Sequence, residues 1–362
     1  MKLGVEAALI EGELVSGDIE LAGGRITAAG LAGGGRGIAF PGFVDLHVNG
    51  FGGVDFVTAD STGYRVARAA LLETGVTAFQ PTFITADESQ LTAALAEVPL
   101  DHVGPRVLGV HLEGPFLSPD HAGVHPVELL RAPDLDLANR LLDAGPVRYV
   151  TLAPELPGAA ELIDLLQARG IVVSLGHSGA TAAEAGRAFD RGVGTVTHLF
   201  NAMRCFHHRE PGLAGAALVC DGVTVQAILD GQHLADETAE LIWRAAAGRL
   251  ALVTDAMSAA LQGDGSYLLS GVTVEVNDGV ARGPRGELAG SVLTMLQAVR
   301  NLHELGATLV EAVGAATSVP ARAGRLRELG VLSVGGHADI VVLDDRLEVR
   351  SVLVNGDVLV HS

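Results

Sequence analysis

The sequence of 362 residues contains a single lysine, Lys2, among its 24 lysines and arginines. A phosphate-loop lysine, a Schiff-base lysine or a carbamylated lysine bridging two metals would each need a lysine inside the fold, and position 2 is unsuitable. The two cysteines, Cys205 and Cys220, form no C-x-x-C pair. Their number and spacing exclude a zinc ribbon, a redox dithiol and a disulfide framework, and they are typical of a reducing cytosol.

Long hydrophobic runs and an excess of basic charge are also absent. No apolar stretch reaches the roughly 18 residues of a membrane-spanning helix, and Glu6 lies where a signal peptide would be apolar. With 43 acidic residues the formal charge is -19, so the chain lacks the basic footprint of a nucleic-acid or anionic-membrane binder. Because 48% of the residues are hydrophobic, a large core is expected. We therefore predict a folded cytoplasmic protein that binds neither nucleic acid nor membrane.

Two sequence patterns divide the chain and predict two domains. Short alternating strands are predicted at Val5–Ile10, Asp18–Leu21, Gly24–Ala29, Ala338–Leu343, Val349–Val354 and Val358–Val360. The Asn355-Gly356 turn between the last two strands predicts a tight hairpin. The middle of the chain instead alternates strand-like and helical runs, which indicates βα units and a parallel sheet.

The middle of the chain has the rhythm of a (β/α)8 barrel. Eight strands are predicted at Phe43–Val48, Thr77–Thr82, Val107–Leu112, Tyr149–Pro154, Val172–Gly176, Thr195–Leu199, Thr224–Leu229 and Leu250–Thr254. Thr181 and Glu184 form a capping-box pattern, Asp236 precedes a periodic apolar run, and Gly170 and Gly192 lie where helices should end. The fold class is therefore α/β, with a TIM-like barrel.

Polar side chains follow nearly every predicted barrel strand, where active sites of such barrels lie. Glu113, His177 and His198 are the predicted metal ligands, because imidazoles and a carboxylate suit zinc and would project from separate strands. A buried structural role is the alternative for each residue taken alone. Glu155 and Gln80 are interpreted as structural groups at strand ends.

Asp255 ends the apolar run Leu250–Val253, so its carboxylate is expected to be shielded from solvent. Next to a metal site it would act as general base and then general acid for attacking water. The alternative is an aspartate that only caps the following loop.

A group of donors at 207–212 predicts an anion site in this acidic protein. Arg209 is the candidate phosphate ligand, since its planar guanidinium binds phosphate bidentately, and Asn201 is a second candidate. An exposed Arg209–Glu210 charge pair explains the same residues equally well.

Together these motifs resemble the amidohydrolase superfamily and, within it, the deacetylases of phosphorylated N-acetyl amino sugars, through nearly the whole chain. The resembling segments are P-G-F-V-D-L-H-V-N-G-F-G-G at Pro41–Gly53, H-L-E-G-P-F at His111–Phe116, G-H-S at Gly176–Ser178, T-H-L-F-N-A-M at Thr197–Met203, R-E-P-G-L-A-G at Arg209–Gly215, D-G-Q-H at Asp230–His233, V-T-D-A at Val253–Ala256, L-A-G-S-V-L-T-M at Leu288–Met295 and G-G-H-A-D-I-V-V-L-D at Gly335–Asp344.

The resemblance implies a distorted barrel at residues 41–334 and a small β-sandwich built from residues 1–40 and 335–362. It also implies hydrolysis of N-acetyl-D-glucosamine 6-phosphate to D-glucosamine 6-phosphate and acetate by metal-activated water, with Asp255 as acid/base. His125 would then help to hold the substrate and polarise its carbonyl group. The resemblance further implies substrate contacts from Val124, Asn201, Ala202, Arg209, Asp230, Gly231, Gln232, His233, Leu288, Ala289 and Gly290.

One position departs from the resembling family. Relatives with two metals commonly carry His-x-His after the first strand and relatives with one metal can carry Gln-x-Asn, whereas this chain has His47-x-Asn49. We therefore expect one divalent cation, zinc by preference, and leave a weak second site at His47 open. The resemblance also implies a homodimer in which Arg209 or His233 acts across the subunit boundary.

Two alternatives remain at this stage. A related hydrolase of another N-acyl substrate would use the same metal and Asp255, and would not require a phosphate on the sugar. A catalytically silent barrel would bind a sugar phosphate without turnover. Substrate profiling distinguishes the first alternative, and substitution of Asp255 distinguishes the second.

Overall fold

The computed structural model describes residues 1–101 and 103–361. Its strands are β1 (Ala7–Ile10), β2 (Glu13–Ser16), β3 (Asp18–Ala22), β4 (Arg25–Leu31), β5 (Ile38–Pro41), β6 (Phe43–Val48), β7 (Gly50–Phe51), β8 (Val54–Asp55), β9 (Val76–Ile84), β10 (Arg106–Val107), β11 (Val110–Glu113), β12 (Val147–Leu152), β13 (Val172–Leu175), β14 (Thr195–Val196), β15 (Thr224–Ala227), β16 (Leu250–Leu252), β17 (Gly265–Leu269), β18 (Val272–Asn277), β19 (Val280–Arg282), β20 (Ile340–Leu343), β21 (Val349–Val354) and β22 (Asp357–His361).

The α-helices follow the barrel strands and cover the outside of the sheet. They are α1 (Ser61–Glu73), α2 (Glu88–Glu97), α3 (Leu135–Ala144), α4 (Ala159–Ala168), α5 (Ala182–Asp190), α6 (Gly212–Val219), α7 (Asp236–Ala245), α8 (Met295–Glu304), α9 (Leu309–Ala316) and α10 (Ser318–Ala323). Short 3-10 helices span Pro119–His121 and Val127–Leu129. Over the residues that the structure describes, none of these helices combines the length and hydropathy needed to cross a membrane.

Eight parallel strands form the predicted barrel, in the order β6-β9-β11-β12-β13-β14-β15-β16. All eight predicted strands are present, and β6 has the predicted bounds. β6 and β16 are not joined by a continuous ladder, but a parallel backbone bridge links Val48 and Ala256. Thr254 Oγ1 also donates to Asp45 Oδ2 at 2.6 Å. These contacts close the barrel at the carboxyl ends of its strands, which is the end where the polar residues were predicted.

Local sequence signals fix several helix ends. Thr181 and Glu184 form the predicted capping box of α5. Gly170 and Gly192 follow the ends of α4 and α5 with φ of 76° and 90°, a conformation that favours glycine. Asp236 is the first residue of α7 rather than its cap, because Ala235 occupies the cap position.

Both chain ends contribute to a separate six-stranded sheet, in the order β2-β1-β5-β20-β21-β22. The β3–β4 hairpin packs on it and forms the second layer of the sandwich, with Ile19 and Ile26 meeting Ala39 and Ile340 in one buried cluster. The β21–β22 hairpin turns at Asn355-Gly356, as predicted, and both turn residues have positive φ.

A three-stranded antiparallel sheet of β17, β18 and β19 follows the last barrel strand. The sequence analysis did not predict this insertion. Its buried face packs Val274 and Val276 against Met257 and Ile84 near the carboxyl ends of the barrel strands. It therefore forms one wall beside the site described next.

Candidate functional site

A cavity of about 260 Å³ opens at the carboxyl ends of the barrel strands. Most of the predicted site residues surround it. Its lining consists of Asn49, Ile84, Glu113, Gly123, Val124, His125, His177, His198, Asn201, Ala202, His233, Asp255, Leu269, Glu287, Leu288 and Gly290.

The three predicted metal ligands meet at the base of this cavity. Glu113 Oε1 lies 2.9 Å from His198 Nε2 and 3.2 Å from His177 Nε2, and the two histidine nitrogens are 3.1 Å apart. Ligand atoms around one tetrahedral zinc ion, each at about 2.0–2.1 Å, lie about 3.3 Å apart. The three atoms thus have the spacing of ligands that share one cation.

The hydrogen bond made by the other ring nitrogen supports this assignment for His177. Its Nδ1 lies 2.9 Å from the carbonyl oxygen of His121, which can only accept. Nδ1 therefore carries the proton of the neutral ring, and Nε2 is left with a lone pair toward Glu113 and His198. Nδ1 of His198 is buried without a hydrogen-bond partner in the described part of the chain.

Three of the key residues have backbone conformations that are unusual for their type. His177, His198 and Asp255 follow β13, β14 and β16 with φ of 48°, 26° and 50°. Positive φ costs of order 1–3 kcal/mol in a residue with a Cβ atom and is concentrated at functional sites. The strain thus falls where each strand delivers its side chain into the cavity.

His125 belongs to a second possible ligand group, because ligand atoms of Glu113, His125 and His177 all lie within 4.8 Å of one another. However, the backbone N–H of Thr85 donates to Nδ1 of His125 at 3.3 Å. Burial, followed by the nearby His177, lowers the pKa of His125 to about 4, so the ring is neutral. A neutral ring that accepts at Nδ1 carries its proton at Nε2. His125 is therefore better suited to donate a hydrogen bond than to bind a cation.

Asp255 lies on the other side of the cluster and contacts both residues of the His47-x-Asn49 segment. Its Oδ1 accepts a hydrogen bond from Asn49 Nδ2 at 2.6 Å and lies 3.0 Å from His47 Nε2. The backbone N–H of Asp255 donates to the carbonyl oxygen of His47 at 2.8 Å. These contacts fix the orientation of the carboxylate. Across residues 1–101 and 103–361 no donor makes a hydrogen bond to Oδ2, which is therefore available to a ligand in the cavity.

The two carboxylates at the base of the cavity are ionised. Burial alone would raise the pKa of Glu113, but His47 and His177 outweigh it and hold the pKa well below its usual range. Burial is likewise outweighed at Asp255, where His47 lowers the pKa. Burial would lower the pKa of His47, yet Glu113 and Asp255 raise it to about 10. Neither ring nitrogen of His47 has hydrogen-bonding geometry to a described residue.

A second polar group, formed by Asn201, Ala202 and His233, lines another part of the cavity wall. His233 Nδ1 donates to Asp230 Oδ2 at 2.8 Å, so Nε2 remains for a ligand. Burial opposes protonation of His233, but the Asp230 carboxylate outweighs it and raises the pKa of the imidazole. Asp230 therefore favours the protonated, cationic form of this imidazole, which an anionic ligand would require.

Five of the predicted substrate contacts lie outside the cavity lining, namely Arg209, Asp230, Gly231, Gln232 and Ala289. Arg209 is exposed on the loop before α6, and its Nη1 lies 2.8 Å from His208 Nε2. Gly231 and Gln232 are also exposed. Asp230 contacts the His233 imidazole and does not line the cavity. Arg209 and the other residues of the predicted anion loop at 207–212 are thus absent from the cavity lining.

The segment 287–290 supplies a wall of the cavity, and the family resemblance implied contacts from residues 288–290 of it. Leu288 and Gly290 line the cavity, as does Val124, whereas Ala289 is completely buried behind them. Glu287 lines the cavity as well and was not predicted, because nothing before it signals the β17–β19 insertion. Ile84 and Leu269, also missed, add apolar surface and carry no chemical signal in sequence.

Glu155, interpreted as structural, lies in a structural setting. Its carboxylate accepts from Ser178 Oγ at 2.7 Å and from the backbone N–H of Gly179 at 2.6 Å. Gln80 is buried in the barrel, with Oε1 lacking a described hydrogen-bond partner. Neither residue lines the cavity.

The model of the amidohydrolase family matches residues 38–359, so the chain belongs to this family. N-acetylgalactosamine-6-phosphate deacetylase of Escherichia coli O157:H7 is 38% identical over 329 residues, covering 87% of this chain and 86% of that protein. N-acetylglucosamine-6-phosphate deacetylase of Homo sapiens is 41% identical over 346 residues, covering 90% of this chain and 84% of that protein.

A solved structure has the same fold along nearly its whole length. It is a variant of N-acetyl-D-glucosamine-6-phosphate deacetylase from Mycobacterium smegmatis in complex with N-acetyl-D-glucosamine-6-phosphate. The TM-score is 0.94, the sequences are 37% identical, and 99% of each chain is covered. The predicted barrel with a β-sandwich from both chain ends is thereby confirmed.

Proposed function

We propose that this protein is a metal-dependent deacetylase that converts N-acetyl-D-glucosamine 6-phosphate and water to D-glucosamine 6-phosphate and acetate. The observation that carries the proposal is the triangle of Glu113, His177 and His198 beside the fixed carboxylate of Asp255. Family membership and the names of the relatives support the same reaction. The acetamide would lie over the triangle, and the phosphate at the part of the cavity that holds His233.

Glu113, His177 and His198 would hold one divalent cation, and we propose zinc because its preferred ligands are nitrogen and carboxylate oxygen. The donor set fits, since the three atoms have the required spacing and His177 has its lone pair at the correct nitrogen. When bound, the cation would supply Lewis acidity toward water and the amide carbonyl. A weaker second position would use His47, whose ring faces carboxylate oxygens of Glu113 and Asp255 without hydrogen-bonding geometry.

Asp255 transfers the proton in the proposed mechanism. Its ionised carboxylate takes a proton from water as the water oxygen attacks the amide carbon. The same carboxyl group then donates that proton to the amide nitrogen as the C–N bond breaks, which yields acetic acid and the amine. Transfer of the acid's proton to the amine gives acetate and the ammonium form. Asn49 and His47 hold Oδ1, so that Oδ2 carries the proton between the two positions.

His125 stabilises negative charge that develops on the carbonyl oxygen. Its proton lies on Nε2 because Nδ1 accepts from the backbone N–H of Thr85. The low pKa of this buried ring keeps it neutral, so it acts as a hydrogen-bond donor and not as a proton source. Donors aimed at a developing oxyanion commonly contribute 10²–10³ in turnover, and we expect about that from His125.

The other end of the substrate is held by the phosphate group in this proposal. Protonated His233 would pair with the phosphate, and the Asn201 side chain and the backbone near Ala202 would add hydrogen bonds. The backbone of Leu288 and Gly290, which line the same cavity, would contact the sugar. Recognition of the phosphate fixes the acetamide over the metal site, which is the positioning that amide hydrolysis requires.

The relatives differ in the sugar that their names give, since one acts on the galactosamine epimer. We propose the glucosamine compound as the preferred substrate, as the resemblance of the motifs implies. A deacetylation assay that compares both epimers, N-acetylglucosamine without phosphate and several N-acyl amino acids tests this choice. Equal rates with and without the 6-phosphate would contradict the phosphate assignment, and turnover of N-acyl amino acids alone would favour the related hydrolase. Metal content measured on the same sample tests the identity and number of cations.

We further propose a homodimer in which Arg209 reaches the phosphate in the cavity of the partner subunit. The support is that Arg209 is exposed outside the cavity of its own chain, close in sequence to Phe206, whose side chain is 52% exposed. Mixed dimers test this directly. Arg209→Ala and Asp255→Asn, each inactive alone, should regain about a quarter of the activity when unfolded together and refolded as mixtures. A lack of recovery would contradict action across the interface.

We also propose domain limits and a cellular location for the protein. We propose the domain limits of 1–40 and 335–362 for the sandwich and 41–334 for the barrel because the sandwich has a buried cluster of its own, to which Leu332 also belongs. The other face of its six-stranded sheet, with Phe40 and Val352, packs into the barrel core. A cytoplasmic location agrees with two cysteines that are both free. Cell fractionation tests the location, and limited proteolysis at 33–41 and 330–337 tests the limits.

A further inference from the structure

We infer that the carboxylate of Glu287 binds hydroxyl groups of the sugar ring and thereby contributes to the choice between amino-sugar epimers. The inference rests on the proposed function, because it concerns the same cavity and the same class of substrate. It assigns a role to a residue that none of the sequence motifs includes.

The position of Glu287 separates it from the metal site. Three carboxylates of the described residues line the cavity, namely Glu113, Asp255 and Glu287. The first two are held by the histidines at the base of the cavity. Glu287 instead lies on the wall formed by the segment after β19, with its side chain 19% exposed. It is therefore free of the ligand cluster and available to another part of the substrate.

The carboxylate is held in place and keeps acceptor capacity. Its Oε2 accepts from the backbone N–H of Arg285 at 2.9 Å. Its Oε1 lies 3.2 Å from Nη2 of Arg285, is enclosed by the protein and has no hydrogen bond within the described ranges. A ligand would therefore reach the carboxylate at Oε2, which keeps a second lone pair beside the backbone hydrogen bond. Arg285 also donates to the carbonyl oxygen of Gly123, two residues before His125. Arg285 is thus a positioning residue that joins Glu287 to the loop carrying the proposed carbonyl donor.

The chain makes room for this carboxylate at Gly283. A Cβ atom on Gly283 would lie 2.6 Å from Oε1 of Glu287 and 2.9 Å from its Cδ. The φ angle of Gly283 is outside the left-handed region, so the backbone itself does not require glycine here. Because Gly283 has no side chain, the Glu287 carboxylate can lie against the backbone at the cavity wall.

The chemistry of the ligand fits a carboxylate at this position. Ring hydroxyls are hydrogen-bond donors, and hydrogen bonds to an ionised acceptor are stronger than those between neutral groups. His233 serves the phosphate, and the cluster at Glu113 serves the acetamide. Arg285 offsets the charge of Glu287, which limits its repulsion of the phosphate. A hydroxyl whose orientation differs between epimers would gain or lose this contact.

The test combines enzyme variants with altered substrates. We would measure kcat/KM for N-acetyl-D-glucosamine 6-phosphate, its 3-deoxy and 4-deoxy analogues and N-acetyl-D-galactosamine 6-phosphate. In the wild type, removal of the hydroxyl that Glu287 binds should lower kcat/KM by about 10- to 100-fold. Glu287→Ala removes the carboxylate, and Gly283→Ala displaces it while leaving it present. In both variants, loss of the same hydroxyl from the substrate should lower kcat/KM by less than about threefold.

A charge-matched control lies on the same small sheet. Glu275 on β18 is exposed and does not line the cavity, so Glu275→Gln should leave every substrate ratio at the wild-type value. Equal deoxy penalties in the wild type and both test variants would show a purely structural role and overturn the inference, while leaving the proposed function intact. Failure of the wild type to hydrolyse any of the four sugars would overturn the proposed function and this inference with it.

Discussion

Asn49 donates a hydrogen bond from Nδ2 to Oδ1 of Asp255 at 2.6 Å, across the point where the first and last barrel strands meet. The same oxygen lies 3.0 Å from His47 Nε2. Asn49 is therefore the uncharged one of two side chains, Asn49 and His47, that contact Oδ1 and favour the ionised form of the Asp255 carboxyl group. The mixed His47-x-Asn49 pattern has a structural meaning here, since both side chains contact the proposed proton-transfer residue.

Replacement of Asn49 by aspartate tests this relationship. A second carboxylate at hydrogen-bond distance would favour the protonated form of Asp255 and raise its pKa. Because the proposed general base must be ionised, the acid limb of the pH–kcat/KM profile should move to higher pH. Asn49→Ala should lower kcat by about 10- to 100-fold without this displacement. Identical acid limbs in the wild type and Asn49→Asp would contradict the assigned contact.

Asp255→Asn should abolish turnover while leaving the substrate bound. An amide cannot take the proton from water, and loss of general acid–base catalysis typically costs 10²–10⁴ in rate. We expect at least that reduction in kcat, with the Kd for N-acetyl-D-glucosamine 6-phosphate changed by less than about threefold in calorimetry. A variant that retained wild-type turnover would instead favour the silent-barrel alternative and remove the carboxylate from the mechanism.

Metal content distinguishes the two possible ligand sets around Glu113. His198→Ala should lower the bound divalent cation from about one per chain to a small fraction, because it removes one corner of the triangle. His125→Ala should retain the cation and lose turnover, since its Nε2 carries a proton. Elemental analysis of both variants after gel filtration is the measurement. The opposite result would show that His125 is the ligand and His198 is not.

Binding of the phosphate should weaken at high pH because of His233. Asp230 raises the pKa of His233, so the imidazole stays protonated above the usual pH and loses its charge as the pH rises further. KM should therefore increase above neutral pH. In Asp230→Asn the increase should begin at lower pH, since burial then lowers the pKa of His233 without opposition. The unphosphorylated sugar is the control, and a KM that rises equally for it would contradict a phosphate contact.

The barrel could be predicted from the sequence because its strands are buried on both faces. Phe43–Val48 and Val172–Leu175 are mainly apolar runs that are entirely buried, with Asp45, His47 and Ser174 as their polar members, and both appear with almost their predicted limits. The β17–β19 sheet escaped because its strands are short and half exposed, so the alternation of Val272–Asn277 competes with the turn signals around it. Its contact with the barrel depends on tertiary packing, which no local pattern records.

Some residues of the candidate site could likewise be predicted from the sequence, and others could not. Glu113, His177 and His198 could be grouped because residues at the carboxyl ends of barrel strands converge whatever their separation in the chain. Glu287 could not be grouped in this way, because it follows an edge strand of the insertion. Arg209 has a local signal for phosphate that an exposed charge pair explains equally well, and the structure shows that Arg209 is exposed and does not line the cavity of its own chain.

The free energy of unfolding should decrease as pH rises from about 4 to about 6, because Asp55 loses its proton in the folded state over this range. Burial raises the pKa of this carboxyl to about 6, against hydrogen bonds from the backbone N–H groups of Val57 and Ser270. The folded state therefore holds more protons than the unfolded state between the usual pKa of about 3.9 and about 6, so the stability from this group is complete below that window and is lost as pH rises through it. The side chain in Asp55→Asn cannot titrate. Loss of the acceptor should lower the free energy of unfolding by about 1–3 kcal/mol at low pH. The difference in this free energy between wild type and variant should become smaller as pH increases. Urea unfolding of both proteins at pH 4.5, 5.5 and 6.5 measures the gap, with the exposed Glu275→Gln as control, and a gap that stayed constant would show that Asp55 keeps an ordinary pKa in the fold.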